Sequence, residues 1–247
     1  MRALRILLIV AVILGGLFVI ADRVAVGFAE DEVADRLRTS EGLATTPDVS
    51  IKGFPFLTQV AGGELDDVEV GIKDYEAATG VSGQNIRIDD LNAQMRDVAF
   101  SGDYSSATAA TATGSATITY AELLKAAQSA GSEPTQVIPG VTATVVGLSD
   151  GGNGKIKVEV EATVAGTKLP QPVSVLSTVT VEGDTVKVKA DSLPNLGIDL
   201  ADNRMRAVTD FEQKIDGLPG GIKLDSVEAA KTGVDITVKG SNVSLAG

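Results

Sequence analysis

Behind Arg2 and Arg5 the chain runs from Ile6 to Ala21, 16 residues, without a charge or a strong polar group, and Asp22-Arg23 end the run. Positive charge ahead of an apolar run keeps the start in the cytoplasm and sends the remainder across the membrane. Two fates fit. Val19-Ile20-Ala21 puts small or modest side chains where a signal peptidase inspects them, so residues 1–21 read as a signal peptide, with secretion after cleavage near Ala21. Alternatively the run stays as an anchor. Its 16 residues span about 24 Å as a helix, short of a roughly 30 Å hydrocarbon core. Residues 3–21, with Arg5 snorkelling, make it long enough. A helix buried in a globular core is the remaining reading, and the basic-then-apolar order at the extreme N-terminus argues against it. Either way residues 22–247 form one exported domain on the outer side of the cytoplasmic membrane.

Composition removes most chemistry. The chain has no Cys and no His, which excludes disulfides, thiolate metal sites, a Cys nucleophile and a Ser-His-Asp triad. The formal net charge is −12. Without residues 1–21, which carry Arg2 and Arg5, 19 basic residues face 33 acidic ones, a net −14. Such a surface repels nucleic acid and does not dock on anionic membranes by charge alone. Aromatics are 4% of the chain and Trp is absent, so the core is built from Val, Ile, Leu and Ala.

The strings that look catalytic fail on context. Gly147-Leu148-Ser149-Asp150-Gly151 spells a nucleophile elbow, but no His exists to take the serine proton and strand pattern follows where a helix is needed. It reads as a hairpin turn. Gly151 to Lys155 has the wrong spacing for a phosphate loop. Asp66-Asp67 and Asp89-Asp90 lack EF-hand spacing and read as solvated strand ends. Asn242-Val243-Ser244 is a glycosylation triplet by letter only.

Periodicity predicts a helix over Asp22 to Arg38, with Val26, Ala29, Val33 and Leu37 on one stripe. Strands are expected at Val49–Lys52, Leu65–Lys73 and Ile86–Phe100, with a break at Gly53-Phe54-Pro55-Phe56 and a turn at Gly62-Gly63. Ser105 to Thr117, almost wholly Ser, Ala, Thr and Gly, is either a plain strand or a mobile hairpin. Thr119-Tyr120-Ala121-Glu122 is a capping box opening a short helix that Gly131 ends. Strands follow at Val141–Val146, Ile156–Glu161, Val173–Val181 and around Val186 and Val188, the last two joined by a tight Gly183-Asp184 turn. Asn203 to Asp216 reads as a second long amphipathic helix with Met205, Val208, Phe211 and Ile215 on its stripe. Ile222–Ala229 and Val234–Lys239 close the chain as strands. Antiparallel meanders separated by helices indicate an α+β fold. A five-residue echo, Leu65-Asp66-Asp67-Val68-Glu69 against Leu224-Asp225-Ser226-Val227-Glu228, is too short to establish a duplication.

Gly53-Phe54-Pro55-Phe56-Leu57 stands apart, because it holds two of the five Phe outside the leader. These are core anchors or an apolar contact surface. Pro47 to Gln59 with this stretch inside it, Gly63, Asp67-Val68-Glu69-Val70, Thr119 to Leu123, Leu218 to Ile222 and Asn242 to Leu245 together resemble the LmeA-like family of actinobacterial cell-envelope phospholipid-binding proteins. The resemblance covers nearly all of residues 22–247. It implies a fold like the tubular lipid-binding (TULIP) proteins, a strongly curved antiparallel sheet wrapped around a long helix, with an apolar groove. It implies export, phospholipid as partner at the outer face of the cytoplasmic membrane, and a role in envelope lipid or lipoglycan assembly. It implies no catalytic residue, and no metal or cofactor is expected. Candidate lipid-binding positions, in a groove or at the membrane, are Phe28, Val33 and Leu37 on the first helix, Phe54, Phe56 and Leu57 in the break, and Met205, Val208, Phe211 and Ile215 on the last helix. The alternative is a filled structural or scaffolding domain of the envelope that never holds lipid.

Overall fold

The computed structural model describes residues 2–40, 42–78, 85–103, 106–130, 135–183, 185–192, 206, 209–214 and 222–246. The apolar run and the amphipathic stripe behind it form one unbroken helix, α1 (Arg2–Ser40). It stops where Gly42 takes a positive φ of 62° and Leu43 N–H reaches back to the Arg38 carbonyl at 2.9 Å. Then come β1 (Asp48–Lys52), the short α2 (Phe56–Gly62), β2 (Glu64–Ala78), β3 (Asn85–Phe100), β4 (Ala107–Thr119) and α3 (Tyr120–Ala130). The middle of the chain gives β5 (Thr135–Ile138), β6 (Val141–Gly152), β7 (Lys155–Val164), β8 (Thr167–Lys168), β9 (Val173–Glu182), β10 (Thr185–Ala190) and β11 (Phe211–Lys214). It ends with β12 (Lys223–Ala229) and β13 (Gly233–Ala246).

The strands make two antiparallel sheets. The first has six strands in the order β1-β2-β3-β4-β13-β12. The second runs β11-β10-β9-β7-β6-β5, with β8 beside β7. Local chemistry sets the hairpins. Gly152 pairs with Lys155, so Asn153 and Gly154 form the loop, with φ of 54° and 71°, the mirror-image turn that matches strand twist. The Ser/Ala/Thr-rich segment is a strand: β4 lies between β3 and β13. At the start of α3 the Thr119 hydroxyl accepts Glu122 N–H at 3.3 Å, half of the expected capping box. The Glu122 carboxylate turns to Arg87 N–H (3.4 Å) instead.

Two expectations are corrected. The strongly curved, TULIP-like sheet wrapped around a long helix is not what forms. Both sheets are open: β1 and β12 are the unjoined ends of the first, β11 and β5 of the second. The reason lies in connectivity and in α1. The C-terminal hairpin returns to pair with β4, which leaves the intervening strands to build a sheet of their own. Much of α1 is the exposed apolar run, and only its stretch from Asp22 to Ala34 packs on the domain, at the margin of the first sheet and not along a sheet axis. The second correction concerns the helix expected over 203–216. Arg206 and Thr209 are helical, but Phe211–Lys214 is β11, paired in register with β10 from Val188↔Phe211 to Thr185↔Lys214. Pairing with an open sheet edge outweighs a helical stripe, as tertiary context commonly does. Asp210, whose carboxylate accepts Ala190 N–H at 3.0 Å, ties the residue ahead of β11 to the end of β10.

Two buried clusters hold the domain. One joins Val26 of α1 and Phe56 of α2 to Ile51, Leu65, Val68, Val98 and Ala109 of the first sheet. The other joins Leu224, Val227 and Val234 of the same sheet to Tyr120 and to Val137, Ile156, Val158 and Val160 of the second. The echoed Leu65/Val68 and Leu224/Val227 therefore belong to different cores.

Candidate functional site

The end of the apolar run is tied to the Phe-rich break. Asp22 is fully buried, and its carboxylate accepts Leu57 N–H at 2.8 Å. The residue before α2 is Pro55, whose side chain caps nothing. Asp22 thus supplies from α1 the acceptor that a helix N-terminus normally finds next door. Arg23 donates to Asp22 at 2.6 Å and to the Gly53 carbonyl at 3.5 Å, and its guanidinium lies 5.3 Å from the Phe54 ring centre. Two turns further, Glu30 accepts Ile51 N–H at 2.7 Å and fastens α1 to β1. Gly63, at φ 78°, ends α2 by donating to Val60 and Gln59 carbonyls.

Under this cover the first sheet presents an apolar face. Cross-strand partners share a face. The rows are therefore Val70–Ala93–Gly114–Val238 and Ile72–Leu91–Ala116–Ile236. At one end Val70 packs against the α1/α2 cluster, and at the other Val238 and Ile236 pack against the second sheet's cluster. Between them stand the small residues Ala93, Gly114 and Ala116, with Leu91 the one larger side chain. A Cβ on Gly114 would come within 2.7 Å of Val238 Cγ2, so Val238 leans over a position that tolerates no side chain. Ala93, Leu91 and Ala116 are half-buried.

The opposite face of the same sheet is polar. A shallow trough of about 560 Å³ crosses it, lined by Asp48, Glu69, Asn92, Gln94, Thr113 and Lys239 among others. Lys239 is paired with Asp225 at 2.8 Å and Glu69 with Lys52 at 3.3 Å. Val70, Ala93, Gly114 and Val238 also line it, so its lining is mixed in character.

The sequence-expected positions separate into groups. Phe54 and Leu57 are exposed beside the helix exit, at 57% and 36%. Phe56, between them, is buried in the α1/α2 cluster. Phe28 is 72% exposed. It lies about 200° round the helix from Val26 and so faces away from the domain. Val33 is at the margin of exposure and Leu37 is half-buried. Phe211 sits in β11 at the edge of the second sheet, apart from the helix exit. Met205, Val208 and Ile215 fall outside the described residues. The structure thus gathers Phe54, Phe56 and Leu57 at α1 and does not bring Phe211 to them. Sequence reading missed α2 and the role of Asp22. Pro55 before and Gly63 after the seven residues Phe56–Gly62 were a usable start-and-stop signal for α2. Nothing local could reveal that Asp22 caps it from 35 residues away.

The nucleophile-elbow string lies in β6 just before the Asn153-Gly154 turn, with strand on both sides. Among the described residues no cluster of three or more His, Cys, Asp or Glu could hold a metal.

Among the described residues one helix, α1, is long and apolar enough to cross a membrane, with a mean hydropathy of 2.8 over its most apolar window. No match was found among curated proteins or among solved structures. The family model described as LmeA-like phospholipid-binding matches residues 20–239. An exported, envelope-associated location fits both that match and the N-terminal apolar helix. The chain belongs to the LmeA-like phospholipid-binding family, a non-catalytic family of lipid-binding proteins of the cell envelope.

Proposed function

We propose that the protein takes a phospholipid acyl chain from the outer leaflet of the cytoplasmic membrane and holds it on the apolar face of the first sheet, between the two cores, in support of envelope lipid or lipoglycan assembly. The observation that carries this reading is the pair of cross-strand rows whose middle members are Ala93, Gly114, Leu91 and Ala116, between larger residues packed at each end. A low floor between two walls is what a flexible hydrocarbon chain needs. Each CH₂ kept out of water is worth about 0.8 kcal/mol, so exchange between bilayer and sheet face is close to neutral while release of the chain into water is strongly opposed.

The test is native mass spectrometry with lipid extraction on protein purified in mild detergent and then freed of it. The expected result is one phospholipid per chain. Ala93→Leu with Ala116→Leu fills the floor and is expected to lower loading about tenfold while the melting transition stays cooperative. A double variant that folds and loads fully would remove the floor from the lipid path. A wild-type chain that stays lipid-free after incubation with mixed vesicles would favour the scaffolding reading.

A further inference from the structure

We propose that α1 is retained as an anchor and that its exit from the bilayer is a built membrane seat, in which Phe54 and Leu57 on one side and Val24 and Phe28 on the other rest in the headgroup layer of the outer leaflet. This stands independently of whether the domain carries a lipid.

Length is the first argument. Asp22 and Arg23 end the apolar run in the sequence, but in the fold they cease to be an obstacle. The Asp22 carboxylate is turned into the domain and fully buried, and the Arg23 guanidinium neutralises it at 2.6 Å while lying against the Phe54 ring. The next ionic groups are Glu30, bonded to Ile51 N–H, and the exposed Asp31 and Glu32. The apolar stretch of α1 therefore runs from Ile6 to Ala29, interrupted by one internally paired couple. At 1.5 Å per residue that is about 36 Å, more than a roughly 30 Å hydrocarbon core and less than the whole bilayer. The surplus lies at the level of the headgroups.

Surface chemistry is the second. Val24 (53% exposed) and Phe28 (72%) continue the apolar band of α1 on its outer side. On the domain side the Asp22 cap holds α2 so that Phe54 and Leu57 stand beside the same stretch of helix. Arg23, over an aromatic face and next to the Gly53 carbonyl, has the amphipathic arrangement that suits the boundary between apolar and wet. An acidic body cannot be drawn to an anionic leaflet by charge, so an apolar seat is the means of contact left to it.

The capping geometry is the third. Cleavage after Ala21 would make Asp22 the terminal residue. The N–H groups of the new first turn would face an end without the preceding turn's carbonyls, and a terminal ammonium would compete for the carboxylate that caps α2.

The experiment uses the full chain in phosphatidylcholine vesicles, some of whose lipid is brominated near the top of the acyl chain. The chain has no Trp, so Phe54→Trp creates a single reporter, and Leu176→Trp, on the second sheet at 41% exposure, creates a distant one. Phe54→Trp is expected to lose about half its emission to brominated lipid and to resist aqueous iodide, while Leu176→Trp does the reverse. Equal behaviour of the two reporters would overturn the seat. Leu57→Trp repeats the reading should Phe54→Trp fold poorly. One equivalent of brominated lipid in detergent separates a seat from a carried lipid: quenching there would place the site on bound cargo instead. The intact mass of protein from the membrane fraction is expected to be that of the whole chain. A mass lacking residues 1–21 would overturn retention.

Discussion

The two covers of the first sheet are built on opposite principles. The second sheet closes over β12 and β13 with Val137 and Val160 at 1% exposure, a sealed interior of β-branched side chains. The α1/α2 cover buries one stripe of helix and leaves apolar side chains exposed on both of its flanks. One cover spends its hydrophobic surface on folding. The other leaves part of it exposed. An exposed apolar patch beside a membrane-length helix is not a folding defect, since another apolar phase is at hand.

The contrast can be broken most forcefully at the sealed cover. Val160→Asp buries an unpaired charge and is expected to cost about 3 kcal/mol or more, abolishing the cooperative thermal transition seen by circular dichroism. At the open cover Phe54→Asp with Leu57→Asp should leave that transition nearly unchanged, because both side chains are exposed, and should lower association with neutral vesicles about tenfold in flotation. Unchanged flotation would remove these residues from membrane contact. Phe56→Asp belongs with the first kind of change, since Phe56 is buried. Asp22→Ala removes the cap and should raise amide exchange across residues 53–62 roughly tenfold while β7 and β9 stay protected. Uniform loosening of the whole chain would mean that α2 is not separately held.

The smallest effect is in the second sheet. Asp191 binds Lys155 Nζ and Thr178 Oγ1, each at 2.6 Å, and these hydrogen bonds hold its carboxyl below the usual carboxylate range. A carboxyl with a lowered folded pKa adds stability that is complete above its unfolded value, about 3.9. That contribution is lost as pH falls through the folded value. Urea midpoints should therefore drop more steeply below about pH 4 in the wild type than in Asp191→Asn. Parallel acid limbs would show that this network adds nothing.

Legibility followed the range of the interactions. Strands with strict alternation, such as Lys155–Val164, and turns with their own φ demands, such as Asn153-Gly154, are decided within a few residues and were readable. The family was readable from the Gly53–Gln59 stretch, and the matching family model bears it out. Sheet partition was not. Whether strands close around a helix or divide into two open sheets depends on where the last hairpin inserts, and β13 finds β4 across more than a hundred residues. Phe211 shows the same limit, because its helical spacing is real but the edge of β10 captures it. At the site, Phe54, Phe56 and Leu57 were visible as unusual, while their division into one buried and two exposed side chains was decided by Asp22 and Val26 on another element. Half of the floor, Gly114 and Ala116, hid in a low-complexity stretch with no period to follow.

The unbroken course of α1 has a mechanical consequence. It runs from Arg2 to Ser40 without a joint, and it is pinned to the domain at Asp22 and again at Glu30. In the membrane-held form such a chain has no swivel. The domain cannot tumble at the end of a tether or cross an aqueous gap. It moves only sideways, with its leaflet, always presenting the same flank downward. On the proposed reading, its search for a lipid or a receiver would be two-dimensional, and a receiver would have to come to the membrane surface to be met.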